Sequence, residues 1–461
     1  MPGGVIVRQE SLLFNRVSFF VSLCLVMGVV VIFLPAAAIA ERAPDPNSTW
    51  YLAEGSGAWG LATWITIFNP NEQQITFRET YMTTSGLIKG QASTLDPMSM
   101  CFTDSQGGLT DNMDFATKIE CLEGKPIVVE RHLMLGIGVA GSVGVNAPAK
   151  TWYLPEGSSA WGYECWLLMQ NPGDVEAKCQ VTYMFEGAPP VTVSKSIPAN
   201  SRRSYNMRND IGERDASMRV MSDLPIVAER TMFLPGKQEG HSSTGATAPA
   251  SDFFLAEGST SWGFTTYLLV QNPNNTATRV DITYMTTRGL VTVPAFMMPP
   301  NSRKTIRVND HVESADFAIK IHGSAPIVAE RSMYWQGARS PACHDSIGIA
   351  SPHGTWYLPD CEAYIIDSVP ESESWALVLN PNDSAVEVEV RYMTGDVQED
   401  VAFRDSIPGN SRKSYNMADK IEGNAATIVT SKTPGKKVIV EGSSYWQNRD
   451  AGSNTIGAYS N

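Results

Sequence analysis

Thr278-Arg279-Val280-Asp281-Ile282-Thr283-Tyr284-Met285 alternates polar with apolar side chains, the two-residue period of a half-buried β-strand. Before it, Phe264 to Gln271 is rich in aromatic and branched residues and stops at the turn cluster Asn272-Pro273-Asn274-Asn275. After it come Val291-Thr292-Val293, the alternating Ser302 to Val308, and Phe317 to Ile321. Pro326-Ile327-Val328-Ala329-Glu330-Arg331-Ser332-Met333-Tyr334-Trp335 closes the set. With the opening Asp252-Phe253-Phe254-Leu255 this makes about seven short strands in about 100 residues, and no long amphipathic helix intervenes. Such a pattern predicts a two-sheet, immunoglobulin-like β-sandwich.

The unit recurs. Its openings begin at Thr49, Thr151, Asp252 and Thr355, spaced by 102, 101 and 103 residues. Its closing stretch returns as Pro126 to Arg131, Pro225 to Arg230 and, in worn form, Val438 to Trp446. A fixed period of this length suits a whole small domain better than a solenoid repeat or a propeller blade. The chain therefore reads as four tandem all-β sandwiches, at 41–149, 150–250, 251–354 and 355–461, behind an N-terminal segment of 1–40. Short, Pro-containing junctions predict a semi-rigid rod. The first and last units deviate most, as the solvent-facing ends of an array usually do.

Residues 1–40 set the expected compartment. Arg8 and Arg16 precede the apolar run Val17 to Leu34, which ends in Ala36-Ala37-Ala38-Ile39-Ala40, the plan of a secretory signal peptide. An uncleaved anchor is the rival reading, and residues 17–40 would then be the chain's one contact with a membrane. The formal charge is −13; Arg8, Arg16 and Glu10 give the first forty residues +1, which leaves −14 on the rest. An acidic surface without a basic stripe argues against nucleic acid as a partner. Six cysteines follow, as the neighbouring pairs Cys101/Cys121, Cys165/Cys179 and Cys343/Cys361. In an exported chain they are expected to form disulfides, and a hairpin at Asn171-Pro172-Gly173 would set Cys165 opposite Cys179.

Trp-Tyr-Leu-x-Glu-Gly-Ser, Trp-Gly, Asn-Pro-Asn, Asn-Ser-Arg and Pro-Ile-Val-Ala-Glu-Arg together resemble an uncharacterised repeat family of secreted bacterial proteins, of a type seen in actinobacteria. The resemblance spans about residues 49–461. It implies exported β-sandwich modules and carries no catalytic residues with it.

Two constellations repeat with the unit. Glu130, Glu229, Glu330 and Glu441 sit on strands next to an Arg or Gly, and adjacent strand residues point to opposite faces. Each Glu is expected to meet a local donor, with the Asn-Ser-Arg arginines Arg202, Arg303 and Arg412 as candidates, in structural ion pairs. One acid per module is not an acid–base pair, so no catalysis is expected of it. Trp59, Trp161 and Trp262 follow Glu-Gly-Ser at one spacing in Gly/Ser-rich loops. An exposed indole could stack on a sugar ring; the commoner use is to cover a core or pack on the next module. Cys343, His344, His353 and Cys361 fit no short zinc-ligand spacing. His241 and His344 occupy comparable tail positions, which suggests a shared turn role.

No cofactor, metal or catalytic motif is expected. The reading is a non-enzymatic exported repeat protein with a structural or interaction role at the cell surface or outside the cell. The alternatives are a carbohydrate- or cell-wall-binding protein that uses the Trp-Gly loops, with wall glycan or a surface protein as partner, and an accessory array for an envelope enzyme.

Overall fold

A computed structural model of the chain describes residues 47–460 apart from 105–107, 109, 137, 237–238, 367–368 and 396–397. The signal-peptide reading of 1–40 lies outside the described residues. In the first unit the strands are β1 (Thr49–Leu52), β2 (Leu61–Phe68), β3 (Ile75–Thr83), β4 (Gly86–Leu95), β5 (Met100–Asp104), β6 (Phe115–Cys121), β7 (Val128–Leu135) and β8 (Gly138–Val143). They form two antiparallel sheets, ordered β1-β6-β3-β4 and β5-β2-β7-β8, the expected sandwich with one strand more. In the second and third units the equivalents of β6 and β7 fuse into the continuous strands Ser217–Phe233 and Phe317–Gln336. The first half of Ser217–Phe233 pairs with Ala177–Met184 in one sheet, and its second half with Glu164–Asn171 in the other.

Repeated residues do repeated jobs. Trp50, Trp152 and Trp356 are fully buried, and each indole N–H donates to the carbonyl of Ile127, Ile226 or Val438. Phe253 stands there in the third unit and brings no N–H that would need an acceptor. The Asn of each Asn-Pro pair (Asn69, Asn171, Asn272, Asn380) is buried, and its amide nitrogen donates to three carbonyls across the turn. One side chain thereby ties together the two ends of each turn.

The turn carries the chain from one sheet to the other, which corrects the disulfide expectation. Glu164–Asn171 pairs with Ser201–Asn206 and Ser217–Phe233 but not with Ala177–Met184, so Cys165 and Cys179 are not opposed. Cys101 on β5 and Cys121 on β6 belong to different sheets, and Cys343 and Cys361 to different units. All six are free thiols.

The rod expectation is also corrected: the four units close into a ring. The last strand of each unit, namely β8, Gly240–Thr244, Pro341–Ile347 and Ala451–Ile456, packs against its counterparts in cyclic order, the fourth against the first. Four sheet edges thereby bury one another along a common axis, which hides backbone that an isolated sandwich would expose. The unit-to-unit contact is heterologous, and its rotation closes after four copies. The atypical end units do not cap the array. They meet.

Candidate functional site

The joints between units explain the Glu-Arg motif. Arg131 is 2.5 Å from Glu229, Arg230 is 2.8 Å from Glu330, and Arg331 is 3.2 Å from Glu441, so each Glu pairs with the arginine of the preceding unit. Every one of these side chains is fully buried. The expectation of a partner from Asn-Ser-Arg is thus corrected. Arg202 and Arg412 reach instead to Glu54 and Glu257 of the preceding unit, at 3.7 and 3.4 Å. They also donate to its carbonyls, as Arg303 does to Gly157. The backbone N–H of Ala53 and of Ala256 donates to Glu229 and Glu441. Pro155 has no N–H at that position, and the amide of Glu156 serves Glu330. Burial, opposed by Arg331, raises the carboxyl pKa of Glu441 to about 7. Burial raises that of Glu330 to about 7 as well, with Arg230 opposing and Asp345 and Glu156 adding to the rise.

The closing joint between the fourth and first units uses different residues for the same geometry. Thr231 and Ser332 donate to Glu54 and Glu156 of the preceding unit. At the closure the acid is the shorter Asp360 and the donor the longer His132, 2.8 Å apart. Thr66 donates to the same Asp360 oxygen at 2.7 Å. Gly442 replaces the arginine that would face Glu130, and His132 (3.4 Å) and Thr455 take its place. Burial alone would lower the His132 pKa, but the carboxylates of Asp360 and Glu130 push it up to about 10. The imidazolium is the seam's cation.

His241 and His344 lie on the axial strands and not in turns, and each meets a tyrosine hydroxyl of the next unit, Tyr334 and Tyr445. Glu156, His241 and Asp345 converge within 4.8 Å. Sequence spacing gave no hint of this trio, because its members come from two units. Arg230 already lies among them, bonded to Asp345 and 3.6 Å from Glu156, and is their counter-cation.

The Trp-Gly loops lie at the mouths of the same joints. Trp59, Trp161 and Trp262 are 81%, 78% and 78% exposed, against the expectation of burial. Their φ angles are 61°, 57° and 58°, and the following glycines have φ of 78°, 85° and 84°. Leu61, Tyr163 and Phe264 return a backbone hydrogen bond to Ala58, Ala160 and Ser261. This is a tight turn with two left-handed central residues, a place dominated by Gly, Asn and Asp. Tryptophan there costs about 1–2 kcal/mol of backbone strain, three times over.

Trp59 overhangs a cleft of about 520 Å³ between the first and second units, lined also by Asp114, Leu168, Trp166, Arg202 and Phe233. Trp262 overhangs its counterpart of about 260 Å³ between the third and fourth, with Asp316, Leu377, Trp375, Arg412 and Tyr445. Between the second and third, Asp215 and Arg303 line a cleft of about 280 Å³, and the indole N–H of Trp161 points to Asp215 at 3.5 Å. In the fourth unit the Trp-Gly turn is replaced by the hairpin of Thr355–Ile366 and Val369–Asn380, with Ile365, Ile366 and Val369 exposed.

Residues 223–329 match a family of unknown function, DUF5719. That window runs from one Pro-Ile-Val stretch to the next, one period of the repeat out of phase with its opening. No curated protein matches the chain. Among solved structures, a Thermotoga maritima protein, 1070, is 23% identical over 21% of this chain and 93% of its own, with a TM-score of 0.20. The Anabaena sensory rhodopsin transducer is 22% identical over 18% and 92%, with a TM-score of 0.16. A tetra-tandem repeat from the extending region of a large adhesion protein is 10% identical over 90% and 99%, with a TM-score of 0.11. The first two are each about as long as one unit of the ring.

Proposed function

We propose that this chain is a non-enzymatic, exported interaction protein that works at the cell surface or outside the cell and binds glycan at its three Trp-Gly loops and the clefts beside them. The observation that carries the proposal is the exposed tryptophan held at a left-handed turn position in three units. Exposed tryptophans at strained positions add little to the fold beyond the long N–H contacts of Trp59 to Asp114 and Trp161 to Asp215, at 3.4 and 3.5 Å, so their recurrence points to a partner. The neighbouring groups suit a sugar. An indole face stacks on the apolar face of a pyranose, and the carboxylates of Asp114 and Asp316 at the clefts are acceptors for its hydroxyls. Three such clefts on one closed ring would gain by avidity on a repeating polymer. The buried acids of the joints support the non-enzymatic reading, since each is engaged in holding neighbouring units together.

Co-sedimentation of the protein with isolated cell-wall sacculi tests this. The expected result is saturable pelleting that falls more than tenfold when Trp59, Trp161 and Trp262 are all changed to Ala. A triple variant that folds normally and pellets as well as the parent would overturn it.

A further inference from the structure

Two of the joint clefts are built from equivalent positions, yet one is filled and the other is hollow. At the joint of the third and fourth units the filling is aromatic. Phe264 and Tyr445 pack on Trp335, with ring centres 5.1 and 5.7 Å from it. His344 packs on both Trp335 and Tyr445, and its imidazole meets the Tyr445 hydroxyl at 3.1 Å. At the joint of the first and second units each of these positions is smaller or less polar. Leu61, Leu135 and Ala140 stand where the third unit has Phe264, Trp335 and His344, and Phe233 stands where the fourth has Tyr445. The first cleft is correspondingly the larger, about 520 Å³ against about 260 Å³.

What the smaller side chains leave open is apolar. Leu61, Leu135, Trp166 and Phe233, all half-buried, line the cleft with the buried Leu133 and Leu168. An apolar concavity open to water is unfavourable, and this one has the volume and lining of a small-molecule site. The charged groups at its edge restrict what enters. Asp114 stands there, held by the Ser56 hydroxyl at 2.7 Å. Arg202, the cation among the lining residues, is 2% exposed and already donates to the carbonyls of Gly55 and Phe115 and to the Ser204 hydroxyl. An anionic ligand would therefore meet a carboxylate and no disengaged cation.

We infer that the cleft between the first and second units binds the uncharged apolar group of a small molecule, an alkyl chain or an aryl ring, against Leu61, Leu135, Trp166 and Phe233. The inference goes beyond the glycan reading and does not depend on it, because it rests on these walls and not on the exposed indole of Trp59.

The test is titration calorimetry of the full chain with two alcohols and their matched carboxylates: 1-octanol with octanoate, and 2-phenylethanol with phenylacetate. At least one alcohol should bind saturably and at least tenfold more tightly than its own carboxylate. Tighter binding of 1-octanol indicates an alkyl ligand, and tighter binding of 2-phenylethanol an aryl one; both support the site. The double variant Leu61→Phe with Leu135→Trp, which takes the filling residues of the third unit, should weaken that binding at least tenfold without lowering Tm. Leu135→Gln changes the polarity of one half-buried wall residue at nearly constant size, and should weaken binding at least fivefold even if the double variant does not fold. The inference fails if neither alcohol binds at millimolar concentration, if the carboxylates bind equally well, or if a folded variant of either kind keeps full affinity. The triple Trp variant keeps these walls and should bind the alcohol while it loses the sacculi, so the two readings fail separately; loss of alcohol binding in that variant would overturn the assignment to the walls.

Discussion

Ring closure makes a thermodynamic demand on two residues 228 positions apart in the chain, His132 and Asp360. In an open array they would never meet, and changing them would have independent effects. In the ring they form a buried pair at 2.8 Å. At an effective dielectric near 20 the gross attraction is about 6 kcal/mol, and desolvation offsets much of it. Thr66 would still bond the side chain of Asp360 after loss of the imidazole, which softens the penalty further. The expected coupling energy is therefore about 2–3 kcal/mol, at the upper end for residues in direct contact. The assay is a double-mutant cycle of His132→Gln and Asp360→Asn, with stabilities from urea unfolding monitored by tryptophan fluorescence. Strictly additive effects, with coupling below about 0.5 kcal/mol, would refute a closed seam.

Other consequences are equally direct. Because the His132 pKa is raised from 6.5 to about 10, its stabilisation is fully present below about pH 6.5 and is lost as the pH rises toward 10; Tm should fall across that window and fall less in His132→Gln. Arg230→Met leaves Glu330 and Asp345 buried without their cation and should cost about 3–5 kcal/mol by urea unfolding, part of it recovered by adding Glu330→Gln. Trp161→Asn places a residue suited to left-handed φ in the turn and should raise stability by about 1 kcal/mol while weakening sacculus binding. Burial pushes the thiols of Cys101 and Cys165 up to about 12, so in residues 47–461 Ellman's reagent should react slowly with the native protein and with all six thiols of that span after unfolding.

Much of the fold was legible in local pattern. Alternation in Thr278 to Met285 reported a strand, and Asn-Pro marked the sheet-to-sheet turn, because these signals arise from neighbours in sequence. Closure was not legible, because a contact between equivalent positions of adjacent units looks the same to periodicity as one within a unit. Glu229 finds Arg131 98 residues away, nearly a full period, and the motif alone could not say which copy it would meet. One signal was present and misread. Asp360 shortens an acid in the last unit, His132 lengthens a donor in the first, and Gly442 drops an arginine opposite Glu130. These deviations complement one another, which solvent-facing caps have no reason to do. The Trp-Gly turn was seen as a motif, but its left-handed geometry follows from backbone hydrogen bonds that composition does not reveal.

Everything proposed for the clefts and the axis depends on four units closed into a ring, and small-angle X-ray scattering on residues 47–461 measures that directly. A compact body of this length should have a radius of gyration of about 22 Å. A value near that figure, unchanged in dilute solution, is the predicted result. A radius about twice as large, with the scattering profile of an elongated particle, would contradict the closed ring and with it the joint clefts.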